Sequence, residues 1–135
     1  MKLLLVLSTL LLAPDVAHAA LDYKCESNRF ADQVGGWLRF GSSTEGGSSA
    51  QLEYWNGYPP ITLLDSNLDG GKAIAPGGVL FTSETDRLNG ASAVFTVPGN
   101  YLALDKFTAK AELTEKSAAN GSTKTTRYEL NCVRH

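Results

Sequence analysis

Three observations predict an all-β protein: a small antiparallel β-barrel of about eight strands, with its first and last strands joined by a disulfide. The stretch Lys106 to Val133 alternates polar and apolar residues on either side of Asn120-Gly121. Short alternating runs broken by Gly, Pro, Asn and Asp recur along the rest of the chain, as in barrels and β-sandwiches. The two cysteines, Cys25 and Cys132, lie in the first and last of these runs. Closing a barrel brings those two strands side by side, which favours the barrel over the sandwich, the alternative architecture.

The chain opens with Met1-Lys2, an apolar run from Leu3 to Leu12, and Ala17-His18-Ala19. This is the pattern of a secretory signal peptide over residues 1–19, cleaved after Ala19. The apolar run is short for a bilayer span, and no second one follows. The expectation is a secreted or periplasmic protein with no membrane span, residues 20–135 forming one domain. In an oxidising compartment Cys25 and Cys132 pair by default. Closing so long a loop stabilises by roughly 4–5 kcal/mol in the chain-entropy account.

Leu21–Ser27 alternates and reads as the first strand, with Tyr23 and Cys25 on one face. Val34–Phe40 is the second, weakened by Gly35-Gly36, which mark a bulge or barrel bend. Residues 41–49 are small and polar and read as a loop. Gln51 to Leu64 reads as a hairpin about Asn56-Gly57, with Leu52 opposite Ile61 and Ala50 opposite Leu63. Pro59-Pro60 cannot donate to a ladder and places the tip at a sheet edge or splays it.

Asp65 to Gly78 is rich in Asp, Asn and Gly and reads as a loop. Val79–Ser83 and Ala91–Val97 are strands, joined by a longer loop, because a two-residue Asn89-Gly90 turn would set Glu84 against Phe95. Pro98-Gly99-Asn100 is a turn, and Tyr101–Leu104 is a short strand or a helical turn. In the final hairpin a type I′ turn at Asn120-Gly121 pairs Leu113 with Tyr128, Ala111 with Leu130 and Ala109 with Cys132. That register has one flaw, Glu112 facing Glu129. It also sets Tyr23 and Tyr128 along the seam of the disulfide.

Composition excludes several function classes. The net charge is −2, without the basic face that nucleic acid requires. Apart from His18 in the leader, the one histidine is the last residue, His135, a poor orienting base for a nucleophilic triad. Zinc sites of the usual kind lack ligands, and Gly70-Gly71-Lys72 lacks the spacing of a phosphate loop. The expectation is therefore a non-enzymatic protein without a resident cofactor; the one enzymatic alternative left is a hydrolase working with two carboxylates about 5–10 Å apart.

Two motifs remain. Asp65-Ser66-Asn67-Leu68-Asp69-Gly70 matches the opening of a Ca2+ loop, with Asp65, Asn67 and Asp69 as oxygen ligands. Its twelfth position is Pro76 instead of the bidentate glutamate, so weak or no Ca2+ binding is expected. The tip Trp55, Asn56, Gly57, Tyr58 and Pro59 offers large aromatic area at low entropic cost and is the predicted binding site. Together these point to an exported binding protein that acts through surface loops on a protein or envelope partner, as an enzyme inhibitor would. The alternative is a carrier holding a small apolar ligand inside a lipocalin-like barrel.

Overall fold

A computed structural model describes residues 20–29, 32–41, 47–55 and 59–135. The predicted signal peptide lies outside the described residues. Eight strands follow one another: β1 (Leu21–Ser27), β2 (Val34–Phe40), β3 (Ser48–Tyr54), β4 (Ile61–Ile74), β5 (Gly78–Ser83), β6 (Ser92–Pro98), β7 (Lys106–Lys116) and β8 (Thr123–Arg134). Each pairs antiparallel with the next, and β8 pairs with β1, closing the barrel. Cys25 stands directly opposite Cys132, and the two form the expected disulfide. No helix among the described residues is long and apolar enough to cross a membrane.

Alternation builds the core. Tyr23 and Cys25 of β1, Leu38 and Phe40 of β2, Phe95 and Val97 of β6, and Leu130 and Cys132 of β8 all point inward and are buried. Each large apolar side chain removed from water in this way contributes roughly 1.5–3 kcal/mol. Along β7, Phe107, Ala109, Ala111 and Leu113 are buried while the residues between them face solvent. Gly36 also faces inward, and a β-carbon there would lie 1.8 Å from the carbonyl oxygen of Gln51. β2 and β3 therefore approach one another more closely than any side chain at that position would allow.

The connections after β2, β4 and β6 share one end of the barrel with the start of β1 and the end of β8. A 3₁₀ turn, Tyr101–Ala103, plugs that end, which resolves the strand-or-turn choice at this segment. Tyr101 packs on Phe40 and Phe81, with ring centroids 4.7 and 5.6 Å away. The buried Tyr23 hydroxyl shares its one proton between the carbonyls of Tyr101 and Leu104, at 3.0 and 2.9 Å, and accepts from Arg134 at 3.2 Å.

Three expectations are corrected. The final hairpin is displaced by two residues: Lys116 faces Thr123, Ala111 faces Tyr128, Ala109 faces Leu130, and Phe107 faces Cys132. A type I′ turn needs positive φ at Asn120, but among the described residues the one non-glycine with positive φ is Gln33. The Asn120 carboxamide instead accepts from the backbone N–H and hydroxyl of Ser122, at 3.0 and 2.7 Å. Gly121 takes the left-handed conformation (φ 70°), and Ser117 N–H to Ser122 C=O closes a longer loop at 2.8 Å. Because the displacement is even, the same residues still face inward. Glu112 now faces Arg127, with 3.1 Å between the charged groups, and Lys110 faces Glu129. Tyr128 lies four residues up β8 from Cys132, about 13 Å along the strand, so it does not cover the disulfide with Tyr23.

The β3–β4 hairpin is also displaced. Tyr54 faces Ile61 and Glu53 faces Thr62, then a bulge at Leu63 brings Leu52 opposite Leu64 and Ala50 opposite Ser66. The ladder starts only past the two prolines, as their missing N–H groups dictate. Lastly, Asp65 to Gly78 is no loop: β4 runs on to Ile74, and only Ala75, Pro76 and Gly77 make the turn. Its polar residues simply face water while Leu64 and Leu68 face the core. Gly70 and Gly71, with φ of 119° and 80°, form a bulge against β5.

Candidate functional site at the loop end of the barrel

The connections after β1, β3, β5 and β7 gather at the end opposite the aromatic plug. Backbone hydrogen bonds hold several of them in place. The Trp55 N–H donates to the carbonyl of Gln33 at 2.8 Å, tying the chain after β3 to the chain before β2. The connection after β5 is built on Asp86, which is buried. Its carboxylate accepts the backbone N–H groups of Asp65, Leu88 and Asn89, at 2.9, 2.6 and 3.4 Å. Burial alone would raise its pKa, but the N–H donors of Leu88, Asp65 and Asn89 together bring it below the ordinary aspartate value. Asn89 then donates to the carbonyl of Thr62 at 2.9 Å, and the Ser66 hydroxyl donates to Glu84 C=O at 2.7 Å.

These rigid supports present apolar side chains to water. Leu88, at the tip of the Asp86 loop, is 86 % exposed, and neighbouring Ile61 is 58 % exposed. Pro59 and Pro60 are exposed beside them.

Trp55 turns back over the outer face of the barrel. Its ring lies on Gly35, where a β-carbon would sit 2.1 Å from the indole. The indole N–H donates to Glu53, which in turn accepts from Gln51, both at 3.3 Å. One ring face is thus seated and the nitrogen is held, while Trp55 stays 38 % exposed. Of the predicted tip, Trp55 and Pro59 belong to this surface; Asn56, Gly57 and Tyr58 lie outside the described residues.

The predicted Ca2+ ligands do not converge. Asp65, Asn67 and Asp69 stand in line on the outer face of β4. Alternate residues on a strand are about 7 Å apart, far beyond the reach of one ion that needs oxygens at about 2.4 Å. Asp65 and Asn67 do share a shallow cleft with Glu84 and Asp86, but the Asp86 carboxylate already serves three N–H groups. Among the described residues, no three His, Cys, Asp or Glu side chains are grouped to hold a metal.

Sequence reasoning missed Gln33 and Leu88, and it offered Asp86 only as a further Ca2+ carboxylate, not as the residue that holds its own loop. Asp86 had one signal: an Asp three residues ahead of Asn89-Gly90 is suited to bonding its own loop's backbone. Gln33 and Leu88 had none, since their importance comes from what the fold sets beside them. No protein family, no curated protein and no solved structure matches this chain.

Proposed function

We propose that this protein binds a protein partner in an exported compartment, through the loop end of its barrel and without catalysis. One observation carries the reading: Leu88 and Ile61 are held out in water, Leu88 on a loop pinned by the buried Asp86 carboxylate and Ile61 at the start of β4. Leaving large apolar groups exposed is costly, and ordering a loop before binding lowers the entropy that binding must overcome. The disulfide suits an oxidising compartment. The carrier alternative is less well supported. Leu38, Leu52, Leu64, Phe95, Leu113 and Leu130 fill the interior at full burial, and the Tyr101 turn plugs one end.

The test compares the wild-type chain with Leu88→Asp and Ile61→Asp as bait in extracts of the native compartment, with Lys72→Asp as a surface control. A specific protein recovered by wild type and Lys72→Asp, and lost from both apolar-site variants, is expected. Equal recovery by all four removes this surface from the function. For the carrier reading, native mass spectrometry of the purified protein showing a bound apolar species would reverse the preference.

A further inference from the structure

Beside the Trp55 ring, at the loop end where β1, β2 and β3 meet, lies a cleft of about 290 Å3 lined by Glu26, Ser27, Arg29, Gln33, Val34 and Trp55. We infer that this cleft is a binding subsite for one ring of a neutral saccharide, stacked on Trp55 and hydrogen-bonded to Gln33. The inference goes beyond the protein-binding reading and rests on different residues.

Four features of the cleft lead there. First, Trp55 is prepared as a platform. A glycine seats one face of the ring, the Glu53 carboxylate holds its N–H, and the ring remains partly open to solvent. A flat aromatic face held in place offers a large contact area at low entropic cost.

Second, Gln33 carries a buried acceptor. Its side-chain oxygen is buried and has no hydrogen-bond partner among the described residues, a condition that native proteins rarely leave unexplained. The residue also holds φ at 47°, the left-handed region that few non-glycine residues occupy. This backbone is the one that receives the Trp55 N–H at 2.8 Å, so the ring platform and the Gln33 residue are tied to each other.

Third, the charges in the cleft balance. Glu26 and Arg29 bring one of each sign, which favours neither an anion such as phosphate nor an organic cation. They do supply an acceptor and donors, and the Ser27 hydroxyl is already committed to the carbonyl of Arg29 at 2.7 Å. A ligand that suits the site is therefore neutral, carries hydroxyl donors on its rim, and has an apolar face. A pyranose ring has all three properties: its C–H groups lie against the indole, its hydroxyls face Glu26 and Arg29, and a turn of the Gln33 carboxamide toward the cleft brings the buried oxygen to the sugar rim.

Fourth, the volume fits a small ligand. Small-molecule sites span roughly 300–1,000 Å3, and this cleft lies at the lower edge, room for one sugar ring of a longer chain that continues into solvent.

The experiment follows the two tryptophan indole N–H signals of the 15N-labelled protein during titration with tetrasaccharides of N-acetylglucosamine, cellobiose type and maltose type. Trp37 packs against His135 at 5.0 Å on the outer face near the chain end and serves as the internal control. At least one sugar should shift the Trp55 signal saturably while Trp37 stays still. Gln33→Met, which keeps the length and removes the polar atoms, should weaken that binding at least fivefold. Gln33→Glu, which restores an acceptor, should recover part of it. The inference is overturned if no sugar shifts Trp55 saturably by about 10 mM, a concentration that largely fills a millimolar site. Unchanged affinity in Gln33→Met overturns it equally. Leu88→Asp should leave the titration untouched, and Gln33→Met should leave recovery of the protein partner untouched, so the failure of either reading is told apart from the failure of the other.

Discussion

The carboxylate of Asp86 accepts the backbone N–H of Asp65 at 2.9 Å, joining the loop after β5 to a strand one neighbour away. With Leu88 and Asn89 it gathers three N–H groups around one buried charge. Replacing it with Ala strips all three of their acceptor. Asp86→Ala should lower stability by about 2–3 kcal/mol, and Asp86→Asn by less, since one oxygen remains. Urea unfolding monitored by tryptophan fluorescence measures both.

The same residue sets an acid limit. Its folded pKa lies below the ordinary value of 3.8, so the unfolded chain binds the proton first as pH falls. The contribution is complete above about pH 4 and is lost as pH drops through the folded value. The acid arm of the wild-type stability curve should be steeper than that of Asp86→Asn below pH 4. Parallel curves would show that the Asp86 charge carries no folding energy.

Adjacent glycines should respond to substitution by very different amounts. At Gly36 an added methyl meets the Gln51 carbonyl at 1.8 Å, and backbone cannot swing aside. Gly36→Ala should cost about 3 kcal/mol or more. At Gly35 the obstacle is the Trp55 ring, which can rotate away into solvent. Gly35→Ala should cost about 1 kcal/mol or less, with a red shift of tryptophan emission as the visible result.

Removal of the disulfide by the double change Cys25→Ala, Cys132→Ala should lower stability by roughly 2–5 kcal/mol. The bond joins residues 107 positions apart, so most of that effect arises in the unfolded chain. Alkylation of denatured, unreduced protein should label no thiol.

Tyr23→Phe should cost about 1–2 kcal/mol, because the carbonyls of Tyr101 and Leu104 and the Arg134 guanidinium lose their shared partner. Alkali should act on the same end of the barrel. Burial raises the Tyr101 phenol above its ordinary 10.0. The folded form therefore holds its proton longer, and stability should fall as pH rises above 10. Tyr101→Phe should flatten that fall in a pH series of thermal midpoints.

The barrel was legible because alternation, cysteine placement and strand spacing agreed. β1 and β2 match their expected bounds residue for residue. The registers were harder, because Asn120 had two uses open to it and took the local one, bonding Ser122 instead of adopting positive φ. The warning was visible in the Glu112–Glu129 clash, which the real register replaces with Glu112–Arg127 and Lys110–Glu129. β4 was misread for a different reason. Asp65, Asn67, Asp69 and two glycines have the composition of a loop, yet an outer barrel face needs only polar groups on alternate positions, and Leu64 and Leu68 kept that alternation. At the site, Trp55 stood out by its chemistry alone. Gln33 became informative only once the fold had buried its oxygen and bent its backbone.

The pairing of Cys25 with Cys132 makes almost the whole barrel a covalent ring. A protease that cuts any one connection between β1 and β8 converts the ring into a single open thread, and no fragment leaves. Each strand keeps both neighbours after such a cut, since the seam between β1 and β8 is held by the sulfur bridge. Two cuts are needed before any strand can depart. The loop end can therefore be clipped once in a protease-rich environment and still present its remaining surface on an intact frame.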